Sequence, residues 1–139
     1  MNDIVLRLLL LVLIAGGGWF VYQMIVRANL ARAASLVQRD PVLEQARPGV
    51  PTILYFTTPH CIPCKTQQQP ALRRLEDRLG AQVQIIQIDA TNDPDAAQRW
   101  GVMTAPTTFV LNSQGQPAAV NYGVADEDKL IRQIEAASA

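Results

Sequence analysis

The chain holds one histidine, His60, and only two cysteines, Cys61 and Cys64, among its 139 residues. A single histidine excludes a His-rich metal centre. Two cysteines cannot build the multi-bridge framework of a small disulfide-stapled protein. Aromatic residues make up 6%, too few for a platform on which single-stranded bases stack. Neither sign of charge prevails, with 12 Lys and Arg against 12 Asp and Glu. A nucleic-acid partner, which needs a basic surface, is not expected. Internal repeats and low-complexity tracts are also missing, and the length suits one domain of ordinary size.

Hydrophobic residues are abundant, at 49%, and most of the excess lies at the start. Residues 8–26 carry no charge, and Gln23 is the only clearly polar side chain among them. As a helix the run spans about 28 Å, close to the hydrocarbon thickness of a bilayer. Arg7 and Arg27 bracket it, while Trp19 and Tyr22 lie toward one end, where rings favour the headgroup layer. A buried helix in so small a protein would not be apolar on every face. The run is longer than the apolar region of a cleaved signal peptide. The one small-x-small tripeptide, Ala31-Arg32-Ala33, lies beyond it and contains an arginine. Residues 4–26 therefore read as a retained transmembrane anchor. Arg27, Arg32 and Arg39 follow the anchor, against Arg7 and Asp3 before it. Taken alone, this asymmetry favours a cytoplasmic C-terminal domain.

Residues 27–48 read as a linker. They are Ala-rich and Arg-dotted to Gln38, with a helix over 27–38 continuing from the anchor. Asp40-Pro41 and Arg47-Pro48-Gly49 then break the chain. The excess of arginine suits a solvated tether beside anionic headgroups.

Residues 49–139 read as the folded domain. Thr52–Thr57 is a short β-rich run after Pro51 and is expected as a buried strand. From Cys61 to Leu79 the pattern is helical, with Leu72, Leu75 and Leu79 on one face, Pro70 as a kink and Gly80 as the stop. Val83–Ile88 is a second apolar strand. Asp93 caps a helix that begins with Pro94 and ends at Gly101. Thr107–Leu111 is a third strand, and Asn112–Gly115 is a hairpin turn into a fourth ending near Tyr122. Asp126 caps a last helix whose inward face is Leu130, Ile131 and Ile134. The order strand, helix, strand, helix, strand, strand, helix implies an α/β domain. It is an open mixed sheet of about four strands, with a parallel βαβ unit, a closing antiparallel hairpin and helices on both faces.

Cys61-Ile62-Pro63-Cys64 stands where the first strand gives way to the first helix of this domain. Two intervening residues let both sulfurs meet within one helical turn, so a disulfide can form and reopen. At a helix N-terminus, free backbone N–H groups and the helix dipole favour a thiolate at Cys61. Cys64, one turn further in, is expected to be shielded and to act as the resolving thiol. Zinc needs two more ligands than the dithiol supplies, and haem attachment needs histidine after the second cysteine, where Lys65 stands. No resident metal or cofactor is expected. A copper-shuttling dithiol remains a competitor, because thiolates suit a soft monovalent ion. The lack of a nearby methionine or further histidine counts against it. A non-catalytic redox sensor is the third reading.

These residues resemble the thioredoxin family over about 49–139. Phe56-Thr-Thr-Pro-His-Cys-Ile-Pro-Cys-Lys65 looks like the family's active-site loop, Pro70 is similar to its helix-kinking proline, and Thr104-Ala105-Pro106-Thr107 matches the segment carrying its cis-proline. Asn112–Gly115 and Gly123 also fall where the family has a hairpin turn and a glycine of the substrate-facing surface. The resemblance implies a thioredoxin-like fold and thiol–disulfide exchange with protein partners by a monomer, with catalytic Cys61 and Cys64 as the redox-active pair. It also implies a substrate surface of Thr104, Ala105, Pro106, Ile62 and Pro63. The chain departs from the family where its active-site tryptophan is His60, its buried aspartate is Tyr55 and the accompanying lysine is Ile85. His60 and Tyr55 are therefore candidate modulators of proton handling. Trp100 reads as a packing residue. Ile62-Pro63 replaces the Gly-Pro of reducing thioredoxins, yet histidine is outside the ring rather than inside it as in strong oxidants; the balance favours a reductant. Tethered relatives commonly work outside the cytoplasm, so the resemblance implies an extracytoplasmic domain, against the flanking arginines.

Overall fold

The computed structural model of the chain describes residues 2–36 and 40–138. Gln38, the end of the expected bridging helix, and Arg39, an arginine of the expected linker, lie outside the described residues. Helix α1 runs unbroken over Asn2–Leu36. Its apolar side chains from Ile4 to Ile25 are exposed all round, and its most apolar window has mean hydropathy 2.4. Among the described residues this is the one helix long and apolar enough to cross a membrane.

The domain carries strands β1 (Thr52–Thr57), β2 (Gln84–Asp89), β3 (Thr107–Leu111) and β4 (Pro117–Tyr122). They form one sheet in the order β2-β1-β3-β4. β1 pairs parallel with β2 and antiparallel with β3, and β3 pairs antiparallel with β4. Helices α2 (Gln69–Leu79), α3 (Pro94–Arg99) and α4 (Glu127–Ser138) cover it. Every residue of the central strands β1 and β3 is buried, because the sheet is covered on both faces. Alternation along β1 divides the core. Leu54 and Phe56 join Phe109, Leu111, Ala96 and Trp100 on one side, while Ile53 and Tyr55 join Leu72, Leu75, Leu130 and Ile134 on the other. Each fully buried side chain of this size contributes roughly 1.5–3 kcal/mol.

Both expected caps form. The Asp93 carboxylate accepts the Ala96 N–H at 2.9 Å, and that of Asp126 accepts the Lys129 N–H at 2.7 Å. The expected helix over Cys61–Leu79 is broken differently from a simple proline kink. Residues 62–63 are helical, a π-turn follows over Cys64–Gln68, and α2 begins at Gln69. In the π-turn the Gln69 N–H donates to the Cys64 carbonyl. Pro70 has no N–H to give, and the wider turn absorbs the missing bond.

The expected solvated linker is corrected over its second half. Pro41–Gln45 forms a 3-10 turn, Val42 enters the core beside Trp100, and the Asp40 side chain is fully enclosed. Asp40 accepts from Trp100 Nε1 at 2.9 Å, from Arg99 Nε at 3.0 Å and from the Val42 N–H at 3.0 Å. A charge and proline pattern cannot tell a tether from a strap whose partners lie sixty residues away. The first half is not free either. Val26 and Leu30 of α1 pack on the Trp100 cluster, and the Asn29 amide donates to the Tyr122 hydroxyl.

Candidate active site

Parallel β1 ends at Thr57, and the chain turns through Thr58–His60 to bring Cys61 to the start of the helical segment. The Cys61 N–H donates to the Thr58 carbonyl at 3.2 Å, and its carbonyl accepts the Lys65 N–H at 3.4 Å. Cys61 and Cys64 are joined as a disulfide, with S–S 2.04 Å and Cα–Cα 5.2 Å. The two sulfurs differ in access. Cys61 is 9% exposed, whereas Cys64 is 0% exposed and belongs to the core cluster with Leu72 and Leu75. The Cys64 N–H points at Cys61 Sγ, 3.2 Å away. That donor and the helix start both favour negative charge on the outer sulfur once the bond is opened.

The Ala105–Pro106 peptide bond is cis. It folds the loop before β3 against the dithiol, forming a groove of about 610 Å³ lined by Thr58, His60, Cys61, Ile62, Pro63 and residues 102–105, among others. Of the expected site residues, the structure thus brings Cys61, Ile62, Pro63, Thr104, Ala105 and His60 to one groove. Pro106 is buried behind it, and its carbonyl accepts the Gly123 N–H at 2.8 Å, tying the loop to the end of β4. Tyr55 lies elsewhere. It is buried beneath the other cysteine, with its hydroxyl 3.5 Å from the Cys64 carbonyl oxygen, and burial pushes its titration upward. Trp100 is buried edge-on to Phe109 at 5.1 Å, away from the groove lining, as a packing residue.

Two site features escaped the sequence reading. The expectation that no methionine lies near the dithiol is overturned by Met103, which lines the groove with Cys61 and is 68% exposed. It is distant in sequence, and the loop before β3 brings it there. Gln68 is the second. Wholly buried in the π-turn, it donates to the Ala125 carbonyl at 3.0 Å and accepts the Ala125 N–H at 2.9 Å. The dithiol segment is thereby clamped to the loop before α4. Among the described residues, no group of three or more His, Cys, Asp or Glu is placed to hold a metal ion.

A profile of the TraF family (F plasmid transfer operon protein) matches residues 26–135. The chain is 33% identical over 86 residues to thioredoxin of Rhodospirillum rubrum, covering 62% of this chain and 81% of that one. It is 28% identical over 129 residues to chloroplastic thioredoxin Y of Oryza sativa subsp. japonica, covering 81% and 74% respectively. The solution structure of a thioredoxin-like protein from Clostridium perfringens superposes with a TM-score of 0.60 at 23% identity, over 69% of this chain and 77% of that one. Such a distant structural likeness shows the fold alone. The family profile and the thioredoxin relatives carry identity further: the chain belongs to the TraF family of thioredoxin-like proteins, and it is a thiol–disulfide oxidoreductase.

Proposed function

We propose that the protein is a membrane-tethered reductant of disulfides in protein partners, with Cys61 as nucleophile and Cys64 as resolving thiol. The observation that carries this reading is the asymmetry of the pair: an outer sulfur that opens to a groove and faces a backbone N–H, and an inner one sealed in the core. In the forward reaction the Cys61 thiolate attacks one sulfur of a partner disulfide. The partner S–S bond breaks, a mixed disulfide forms, and the other partner sulfur leaves as a thiolate that takes up a proton. Cys64, as thiolate, then attacks Cys61 Sγ. The mixed disulfide breaks, the second partner thiol departs, and the intramolecular bond is restored. Two electrons have passed to the partner, and an external dithiol must reduce the pair again.

Thr104 and Ala105, with Ile62 and Pro63 opposite, form the walls between which an extended partner segment is held. His60 lies on the same groove, where its imidazole can exchange the departing proton with solvent. Tyr55 acts from beneath, as a positioning residue at the Cys64 carbonyl. Residues 4–26 are the anchor in this reading, and the catalytic domain lies on the extracytoplasmic face.

Reduction of insulin disulfides by the full chain in detergent, with excess dithiol, tests the chemistry. Cys61→Ser is expected to reduce the rate to that of the dithiol alone, and retention of activity would refute the assignment. A measured reduction potential below that of the glutathione pool supports the reductant role, and one near those of strong oxidants reverses it. Reporter fusions at the C-terminus decide the side of the membrane. One active only outside the cytoplasm is expected to be active, and a silent one reverses the orientation. Met103 gives the copper reading a soft thioether beside the dithiol. Tight stoichiometric Cu(I) binding by the reduced protein without disulfide turnover would favour that second reading.

A further inference from the structure

The end of α1 and the wall of the groove are neighbours. Val26 closes the uncharged run, yet its side chain already packs against the domain core with Leu30. Between them Asn29, largely buried, binds the Tyr122 hydroxyl, and its Oδ1 lies 3.0 Å from where a Cβ on Gly101 would stand. Gly101, at φ +67°, is the residue before Val102, where the groove lining begins. From Val26 to Asn29 the helix rises about 4.5 Å. From Gly101 to Ala105 the chain reaches at most about 14 Å. With the side chains between them, this wall of the groove lies no more than about 25 Å from Val26, the last residue of the uncharged run. A domain on a loose tether has no such limit.

The surface around the dithiol carries a second, independent mark. Among the described residues, the exposed large hydrophobics outside α1 are Ile62 (72%), Met103 (68%) and Val124 (39%). Ile62 and Met103 line the groove, and Val124 follows Gly123, whose N–H holds the Pro106 carbonyl. Apolar exposure on this domain is thus concentrated around its reactive sulfur, where an apolar partner segment would cover it.

We infer that the partner disulfide of this site lies close to the bilayer, in a membrane-bound polypeptide whose cysteines are flanked by apolar residues. This rests on the proposed reading of α1 as an anchor and of the dithiol as a reductant. The docked helix end fixes the height of the site, and the apolar rim selects the segment.

The test uses the full chain in phosphatidylcholine vesicles with excess dithiol reductant. Substrates are transmembrane-anchored peptides carrying one disulfide between leucines, on semi-rigid helical spacers of about 8 or about 40 residues, or about 12 and 60 Å. The same disulfide peptide without an anchor serves as reference. The expected result is at least tenfold faster reduction of the near disulfide than of the far one. A helical spacer of about 25 residues inserted between Ile25 and Val26, which lifts the docked helix end together with the domain, is expected to shift the preference toward the far substrate. Equal rates at both heights, or no shift with the inserted spacer, would overturn the height claim. Ile62→Ser with Met103→Ser is expected to lower the ratio of the near leucine-flanked rate to the near serine-flanked rate several-fold, whatever either rate does alone; an unchanged ratio would overturn the claim about the segment. Failure to reduce the unanchored peptide, or loss of the protein from vesicles in alkaline carbonate, would instead overturn the underlying reading, and the inference with it.

Discussion

Asp40 shows how much a single side chain can hold together. Burial alone would raise its titration, but the hydrogen bonds from Arg99, Val42 and Trp100 outweigh burial and hold it below the ordinary 3.8. Folding therefore stabilises the ionised form. That contribution is present in full above the ordinary value and is lost as pH falls through the lower, folded one. Asp40→Ala is expected to cost about 2–4 kcal/mol near neutral pH, because it strands the indole N–H and the Val42 N–H. Arg99 is partly exposed and contributes the smaller share. Urea denaturation of both proteins in detergent checks this, and the difference between them is expected to narrow as pH falls through that window. None of this was legible in the sequence, where Asp40-Pro41 reads as a chain break. The pairing of Cys61 with Cys64 was legible, because their spacing and their place at a strand-to-helix junction are local features. Met103 was not, since its neighbourhood is made by the fold.

Elements with a period or a cap announced themselves. Short β-rich or apolar runs gave β1 to β3, with β2 beginning one residue later than expected, the hairpin turn gave β4, and the carboxylate caps gave α3 and α4. The π-turn of Cys64–Gln68 had no such signal, because the leucines that define α2 all lie after it and only Pro70 hinted at a disturbance. Its anchor is Gln68, one of three consecutive glutamines that no apolar period singles out. Gln68→Ala leaves the buried N–H and carbonyl of Ala125 without partners. The expected loss is about 2–3 kcal/mol in urea denaturation. A larger fall in insulin-reduction rate than Leu75→Ala produces at matched stability is also expected, because Gln68 holds the dithiol segment itself. Leu75 is fully buried in α2 and carries no bond to that segment; its truncation is expected to cost about 2–5 kcal/mol with little effect on rate below the unfolding midpoint.

Across the whole molecule, one chain joins an apolar helix to a thioredoxin-like domain, and the join is a packed contact through Val26, Asn29 and Leu30. Sequence patterning told the apolar helix from the α/β domain. It misjudged their connection, because a composition rich in Ala and Arg says nothing of where a helix end will dock. The βαβ unit and the hairpin supply the sheet, the sheet supplies the junction after β1, and the cis-Pro loop closes the groove over one sulfur. The access of the outer sulfur to the groove and the enclosure of the inner one follow from that arrangement. Trapping of mixed disulfides tests this most directly: the full chain as Cys64→Ser, reduced and offered a disulfide peptide, is analysed by intact mass with wild type and Cys61→Ser beside it. A peptide adduct accumulating on Cys64→Ser, released by dithiol and absent from both other proteins, is the predicted result. An adduct on Cys61→Ser and none on Cys64→Ser would contradict the account.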